Sequence, residues 1–337
     1  AYEFIHSLSR KIFKDMKFDV IIGNPPYQLS DGGHSRSASP IYQMFIAQAK
    51  KLNPRYICMI TPARWYVGGK GLDDFRQTML NDNRISNLID YPNSNDVFPG
   101  VDIAGGISIF LWDRNHNGNC FVETVTNEGN EIVQRRLNED EIFVRDSLAN
   151  TIIRKVQKNC LSDHFLDSFV SPRKVFGIGT NYKAFNSGVP CWFVQKIGLS
   201  FAKRDDITDE RNILHKWKFL VPMAPIAGQT DFTKPIKFYY EGNTRIAKPG
   251  ECCTESWIVA GSFDTKAEVV NFKSYLFTKV VRFLLLQAVI SQHVNRKNFR
   301  FVPHLAMYGK EYNDDDLCDL WNISQKEFAY IDKKIKD

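Results

Sequence analysis

The chain has 337 residues, 43% hydrophobic and 24% charged, which is enough apolar material for two medium-sized cores and excludes a disordered chain. Its longest apolar stretch, residues 280–290, contains Arg282 and Gln287 and is too short to cross a bilayer. With no leader pattern at the start, a cytoplasmic location is expected. The net charge of +6 is uneven: Lys and Arg number 16 against 18 Asp and Glu in residues 1–150, 24 against 12 in 151–310, and 4 against 8 in 311–337. The basic middle third suits a polyanion such as nucleic acid, because each cation near a phosphate releases a condensed counterion.

In chain order, residues 1–16 carry Phe4, Ile5, Leu8, Ile12 and Phe13 at the spacing of an amphipathic helix. Val20, Ile21 and Ile22 then predict a buried strand, and residues 40–52 a helix with Ile41, Phe45, Ile46 and Ala49 on one face. A strand over 56–60, a helix over 72–80 and a strand over 85–90 follow. This alternation predicts an α/β region of parallel strands and crossover helices. The runs GISIFLW (106–112) and CFVETVT (120–126), separated by a turn-rich segment, predict an antiparallel hairpin at the sheet edge.

From about residue 150 the texture changes to short aromatic runs punctuated by Pro and Gly. One long apolar helix is expected between Lys266 and His293, and a capped terminal helix from about Asp314. A boundary near 146–155 gives two domains, 1–150 and 151–337. The seven cysteines are odd in number, lack Cys-x-x-Cys spacing and have no histidine cluster beside them, so neither a metal site nor a disulfide framework is expected.

Most of the chemistry sits in FDVIIGNPPYQLSDGG, residues 18–33. Two prolines after a strand stop the ladder and stiffen the turn, and in parallel α/β sheets ligands sit just beyond the carboxyl ends of strands. There Asn24 offers a side-chain oxygen, Pro25 a carbonyl and Tyr27 a flat ring. Two acceptors and a stacking face fit an aromatic amine. Such an amine is a poor nucleophile, because its lone pair is delocalised. Acceptors that hold its N–H bonds favour a pyramidal nitrogen aimed at an electrophile such as a methyl sulfonium. A base within a duplex reaches such a pocket only by being flipped out.

Residues 18–27 resemble the catalytic motif of the S-adenosylmethionine-dependent amino-methyltransferases, most closely the DNA adenine-N6 methyltransferases of bacterial restriction-modification systems. Three further pieces, ITPARWYVGGKGLDDFRQTML (60–80), DVFPGVDIAGGISIFLWDR (96–114) and YNDDDLCDLWNISQKEFAYID (312–332), are similar to the carboxyl-terminal half of the large single-chain restriction-and-modification enzymes. The resemblance implies that Asn24 and Pro25, with Pro26 stiffening the turn, hold the target amine while Tyr27 stacks on the flipped adenine. Phe110, ahead of Trp112, would bring an aromatic to the other face of the base. Arg64, Trp65 and Lys70 would lie in a loop that closes over the site and touches double-stranded DNA, with Arg64 and Lys70 as contacts. The basic region becomes a target-recognition domain, with Arg173, Lys174, Lys203, Arg204, Arg296, Lys297 and Arg300 as candidate DNA contacts.

The same resemblance implies S-adenosyl-L-methionine as cofactor, held on a Gly-rich turn after one strand with a carboxylate on its ribose. Before Asn24 the only glycine is Gly23. The Gly177-x-Gly179 pair has no acidic residue between Asp167 and Asp205, so it is rejected as a cofactor loop. The expectation is a partial Rossmann-like methyltransferase sheet without its cofactor-binding half, followed by a mixed α+β recognition domain. Such a fragment, excised or truncated, would be inactive without the N-terminal half of its parent. A methyltransferase acting on RNA or on a protein glutamine amide, and a non-enzymatic DNA-specificity module, remain as alternatives.

Overall fold

A computed structural model describes residues 17–28, 39–69, 71–127, 129–160, 164–194, 196–226, 234–289 and 293–336. The expected amphipathic helix of residues 1–16, and Lys70, lie outside the described residues. The chain divides into two compact units at Ser147/Leu148.

The first unit is built on one mixed six-stranded sheet. Its strands are β1 (Val20–Gly23), β2 (Tyr56–Pro62), β3 (Ile85–Tyr91), β4 (Ile107–Asp113), β5 (Cys120–Thr126) and β6 (Gly129–Arg135), in the order β1-β2-β4-β3-β5-β6. Two helices follow strands as the alternation predicts, α1 (Tyr42–Lys51) after β1 and α2 (Asp73–Leu80) after β2. In α1 the residues Tyr42, Phe45, Ile46 and Ala49 are buried, the i, i+3, i+4, i+7 spacing of one helix face. Asp73 and Asp74 in the first turn of α2 complement the helix dipole.

Two expectations for this sheet need correction. The strand at Val20–Gly23 is an edge of the sheet, paired with β2 alone among the described residues, and Val20 and Ile22 are 48% and 77% exposed. Nor do GISIFLW and CFVETVT form a hairpin: β4 runs antiparallel between β2 and β3, β5 lies parallel to β3, and the edge hairpin is β5–β6. Burial decides this, because Ile107, Phe110 and Trp112 are all inside the core and a strand so apolar is more stable in the sheet interior than at its rim. Phe110 stands between Met59 of β2 and Leu88 of β3 in cross-strand register.

The second unit holds two three-stranded sheets, β10-β9-β12 and β11-β7-β8. Their strands are β7 (Val189–Trp192), β8 (Leu199–Ala202), β9 (Trp217–Pro222), β10 (Arg245–Ala247), β11 (Cys252–Cys253) and β12 (Trp257–Phe263). Helix α3 (Ser147–Asn159) opens the unit, and α4 (Lys266–Phe277), α5 (Lys279–Gln287), α6 (Asp314–Trp321) and α7 (Gln325–Lys334) come late in it. The single apolar helix expected at 266–293 is thus two. Thr278 takes an extended conformation and its hydroxyl accepts from the Val281 amide, so it ends α4 and caps α5. Capping boxes at Asn313 and Ser324 start α6 and α7. No helix among the described residues is long and apolar enough to cross a membrane.

Candidate functional site

The turn that follows β1 occupies the carboxyl end of the strand. Asn24 is exposed, Pro25 buried, Pro26 exposed and Tyr27 half-buried. With no N–H on either proline the ladder stops, and the chain is next fastened where the Ile41 amide donates to the Tyr27 carbonyl at 3.1 Å. The Tyr27 ring meets Tyr42 edge-on at 6.5 Å, and Tyr42 in turn meets Phe75 at 5.8 Å. Desolvation raises the Tyr27 phenol above its ordinary value, opposed by the Asn24 side chain at its hydroxyl. That approach falls short of a conventional hydrogen bond.

Asn24 and Tyr27 line a cavity of about 630 Å³, with Arg64 and Phe98 among the other lining residues. This is the size of a typical small-ligand site. Pro62 ends β2 at the wall, and a short 3-10 turn, Ala63–Tyr66, carries Arg64 into place while burying Trp65 and Tyr66. Burial lowers the pKa of the Arg64 guanidinium, offset in part by the Tyr42 phenol, and its Nε has no hydrogen-bond partner among the described residues. A half-buried cation with an open donor is suited to an anion that enters the cavity.

The opposite wall comes from the segment between β3 and β4, which contributes Phe98 and residues 101–104. It has its own internal scaffold. The buried Ser94 hydroxyl donates to the Val101 carbonyl at 2.7 Å and accepts from the Ile103 amide at 2.9 Å. Gly106, at φ +79°, is required there: a Cβ would overlap the Tyr91 carbonyl oxygen and lie 2.8 Å from that of Pro92.

The sequence expectations meet this geometry unevenly. Asn24, Tyr27 and Arg64 share the cavity. Phe110 does not: it is fully buried at the centre of the sheet and offers no ring face to a base, which corrects that expectation. Trp112 is likewise core, its indole N–H donating to Asp82 at 3.0 Å. The cavity aromatic that the reading missed is Phe98. Its signal was an aromatic directly before Pro-Gly in a loop, where nothing predicts a core position.

In the second unit, Arg173, Lys174, Lys203 and Arg204 are exposed on two neighbouring segments. Tyr182 joins those segments, its hydroxyl donating to Asp206 at 2.6 Å and accepting from the Lys203 amide at 3.0 Å. Arg173 pairs with Glu255 at 3.3 Å, and Lys203 sits over the Phe185 ring at 4.8 Å. Arg296 and Lys297 are exposed on a separate capped turn, Arg296–Phe299. Arg300 follows it, half-buried, with Nε donating to the Lys297 carbonyl. The Gly177-x-Gly179 pair is part of the first group's turn, where a Cβ on Gly177 would meet the Thr208 hydroxyl at 2.8 Å. That glycine makes room for a neighbouring side chain.

Comparison with known proteins bears on residues 1–98, which match the family model of the Eco57I restriction-modification methylases. An uncharacterized adenine-specific methylase of Mycoplasma pneumoniae is 35% identical over 154 residues, 43% of this chain and 36% of the relative. The chain therefore spans 36% of the length of that curated relative. Among solved structures, the type IIL restriction-modification enzyme MmeI in complex with DNA matches over 94% of this chain and 52% of its own, at 9% identity and a TM-score of 0.43. The type IIG restriction endonuclease BpuSI matches over 94% and 50%, at 11% identity and 0.36. The resemblance carried by residues 18–27 is thereby borne out: residues 1–98 are similar to the Eco57I restriction-modification methylases, and 43% of the chain is similar to an adenine-specific methylase.

Proposed function

We propose that this chain is the base-holding and target-recognition part of a DNA adenine-N6 methyltransferase of a restriction-modification system. The observation that carries the reading is the cavity at the end of β1, where the exposed Asn24, the half-buried Tyr27 and Phe98 face one space large enough for a nucleobase. A flipped adenine would stack on Tyr27, with Phe98 bounding it elsewhere. Its N6–H bonds would be held by the Asn24 side-chain oxygen and the Pro25 carbonyl. Each base–aromatic contact contributes roughly 1–3 kcal/mol, comparable to the unstacking cost of eversion.

Arg64, half-buried with an open donor, would meet the phosphate that follows the base into the cavity. In the second unit, Arg173, Lys174, Lys203 and Arg204 would contact duplex DNA, with Arg296, Lys297 and Arg300 as a second group. These roles fit a division into a catalytic part, residues 1–150, and a recognition domain, 151–337.

The methylase family implies S-adenosylmethionine as methyl donor. The described residues give no open cradle for it: Gly177 is committed to Thr208, and in the Gly-rich turn between β2 and α2 the space at Gly68 is taken by the Asp73 and Arg76 side chains. No residue here is assigned to the donor. Among the described residues β1 pairs with β2 alone, so its other backbone edge suits a further strand that would extend the sheet toward donor-binding elements.

The test is transfer of labelled methyl to adenine N6 in duplex DNA by the whole protein. Asn24→Ala should lose at least about 100-fold in kcat, the size of removing one preorganised polar contact to a reacting group. Methylation at the parental rate in that variant would overturn the assignment. DNA binding by the whole protein with no donor-dependent methylation would favour the specificity-module reading.

A further inference from the structure

Behind the cavity the first unit buries a carboxylate that the base-holding scheme does not use. Asp90 of β3 is fully buried, and it faces two groups, the Arg145 guanidinium, with Nε 3.2 Å from Oδ2, and the Tyr66 hydroxyl. Neither carboxylate oxygen makes a hydrogen bond of conventional geometry. Arg145 lies over the Tyr66 ring at 5.2 Å, and its Nη2 donates to the Gly105 carbonyl. Gly105 and Gly106, both at positive φ, end the segment that carries Phe98 and residues 101–104 along the cavity. The next carbonyl, that of Gly106, accepts from Ala63 at 3.0 Å, one residue before Arg64.

We infer that Asp90 is a positioning residue: by holding Arg145 it clamps the Gly105–Gly106 hinge and so sets the Phe98 wall against Tyr27 and Arg64. Well-packed apolar side chains at the Asp90 and Arg145 positions would match or exceed the stability of an incompletely bonded ion pair. What such a pair supplies is a defined hinge position. Burial raises the Asp90 carboxyl to about 6, opposed by Arg145 and by Tyr66. Ser108 is the other polar side chain at the Tyr66 hydroxyl. Protonation therefore releases Arg145 at a mildly acidic pH while leaving the fold intact, because a raised carboxyl pKa favours the folded state on the acid side.

The clamp is readable without DNA, whereas its consequence for binding rests on the proposed use of the cavity. Amide hydrogen exchange at Ile103 and Gly106, which donate to Ser94 and to the Ile103 carbonyl, reports the hinge. A single-stranded oligonucleotide carrying 2-aminopurine reports the cavity. In Asp90→Asn both amides should exchange at least about tenfold faster without a lower melting temperature, and 2-aminopurine affinity should fall about tenfold. Should that variant fold poorly, the parental chain supplies the second measurement: exchange at the two amides, corrected for its intrinsic pH dependence, should rise as pH falls from about 7.5 to about 5, through the folded-state value of Asp90. Exchange that changes neither with the substitution nor with pH overturns the clamp. Faster exchange with undiminished affinity overturns the positioning role. No 2-aminopurine signal from the parental chain overturns the stacking of a base in the cavity and leaves the exchange result to decide the clamp.

Discussion

Replacing Phe110 by alanine separates a core residue from a base-stacking one. The ring is fully buried, flanked in register by Met59 and Leu88. Truncation removes about 2–3 kcal/mol of transfer free energy and leaves a void that two neighbouring strands cannot collapse around, which brings the expected cost to about 3–5 kcal/mol. At roughly 2–4 °C per kcal/mol for a unit of this size, the transition of the first unit should fall by about 10 °C. Phe98→Ala is the control. Its half-exposed ring lines the cavity, so the melting temperature should move by no more than about 3 °C while affinity for 2-aminopurine DNA falls about tenfold, the worth of the apolar contact that one side of the base loses. Thermal unfolding monitored by circular dichroism, run beside fluorescence binding, reads both. A Phe110→Ala chain that melts with the parent but no longer binds the base would refute the core assignment, and with it the identification of Phe98 as the cavity aromatic.

Other expectations are as direct. Gly106→Ala should cost about 2–4 kcal/mol, because a positive φ and overlap with the Tyr91 and Pro92 carbonyls cannot be relieved by a rotamer change; denaturant titration checks this. Burial alone would raise the Asp82 carboxyl, yet Arg84 and Lys50 hold it well below the usual carboxylate range. Its contribution is therefore present above the unfolded pKa and lost as pH falls through the lower folded one, so Asp82→Asn should flatten the acid limb of a stability–pH profile. In the second unit, Lys203→Gln with Arg204→Gln should reduce the slope of log K against log salt for duplex DNA by about 0.9 for each phosphate left without its cation. A slope that stays unchanged would remove that pair from the DNA surface.

Periodicity made α1, α2, β2 and β3 legible, because each has a single apolar face and that face is buried as its spacing requires. Asn24 and Tyr27 were legible for a different reason: proline pairs have few structural uses, so their chemistry shows without any fold. The order of strands was not legible. GISIFLW reads equally well as an edge or an interior strand, and only the burial of Phe110 and Trp112 against Met59, Leu88 and their neighbours distinguishes the two. Thr278 was read as one more residue of a long apolar helix, although its hydroxyl was available to cap a new one. Phe98 and Asp90 were harder to read for a common reason. Each acts through a loop geometry that tertiary contacts create; an aromatic before Pro-Gly was the one local hint of Phe98, and nothing in the local sequence separates Asp90 from ordinary strand residues.

The misread strand is also what assembles the cavity. Because β4 runs antiparallel between β2 and β3, β1, β2 and β3 all point one way, and their carboxyl ends lie at the same edge of the sheet as the start of β4. Asn24 leaves β1 there, Arg64 follows β2 there, and the segment from Tyr91 to Ile107 both departs and returns there. Had β4 formed the expected hairpin with β5 at the rim, that segment would have had to cross the sheet, and Phe98 could not have been pinned at both ends beside Tyr27. Both anchors of the wall are then short and covalently close to sheet residues: Ser94 three residues beyond β3, Gly105 two before β4. A wall held so near its strand ends can be repositioned by a change at one hinge, which is why a single buried carboxylate, Asp90, commands it. The same logic predicts that lengthening the segment by two glycines after Asp102 would leave the sheet's stability within about 1 kcal/mol, loop closure being weakly length-dependent, while weakening 2-aminopurine binding at least about tenfold. Equal binding by the lengthened chain would show that the wall contributes nothing to the site.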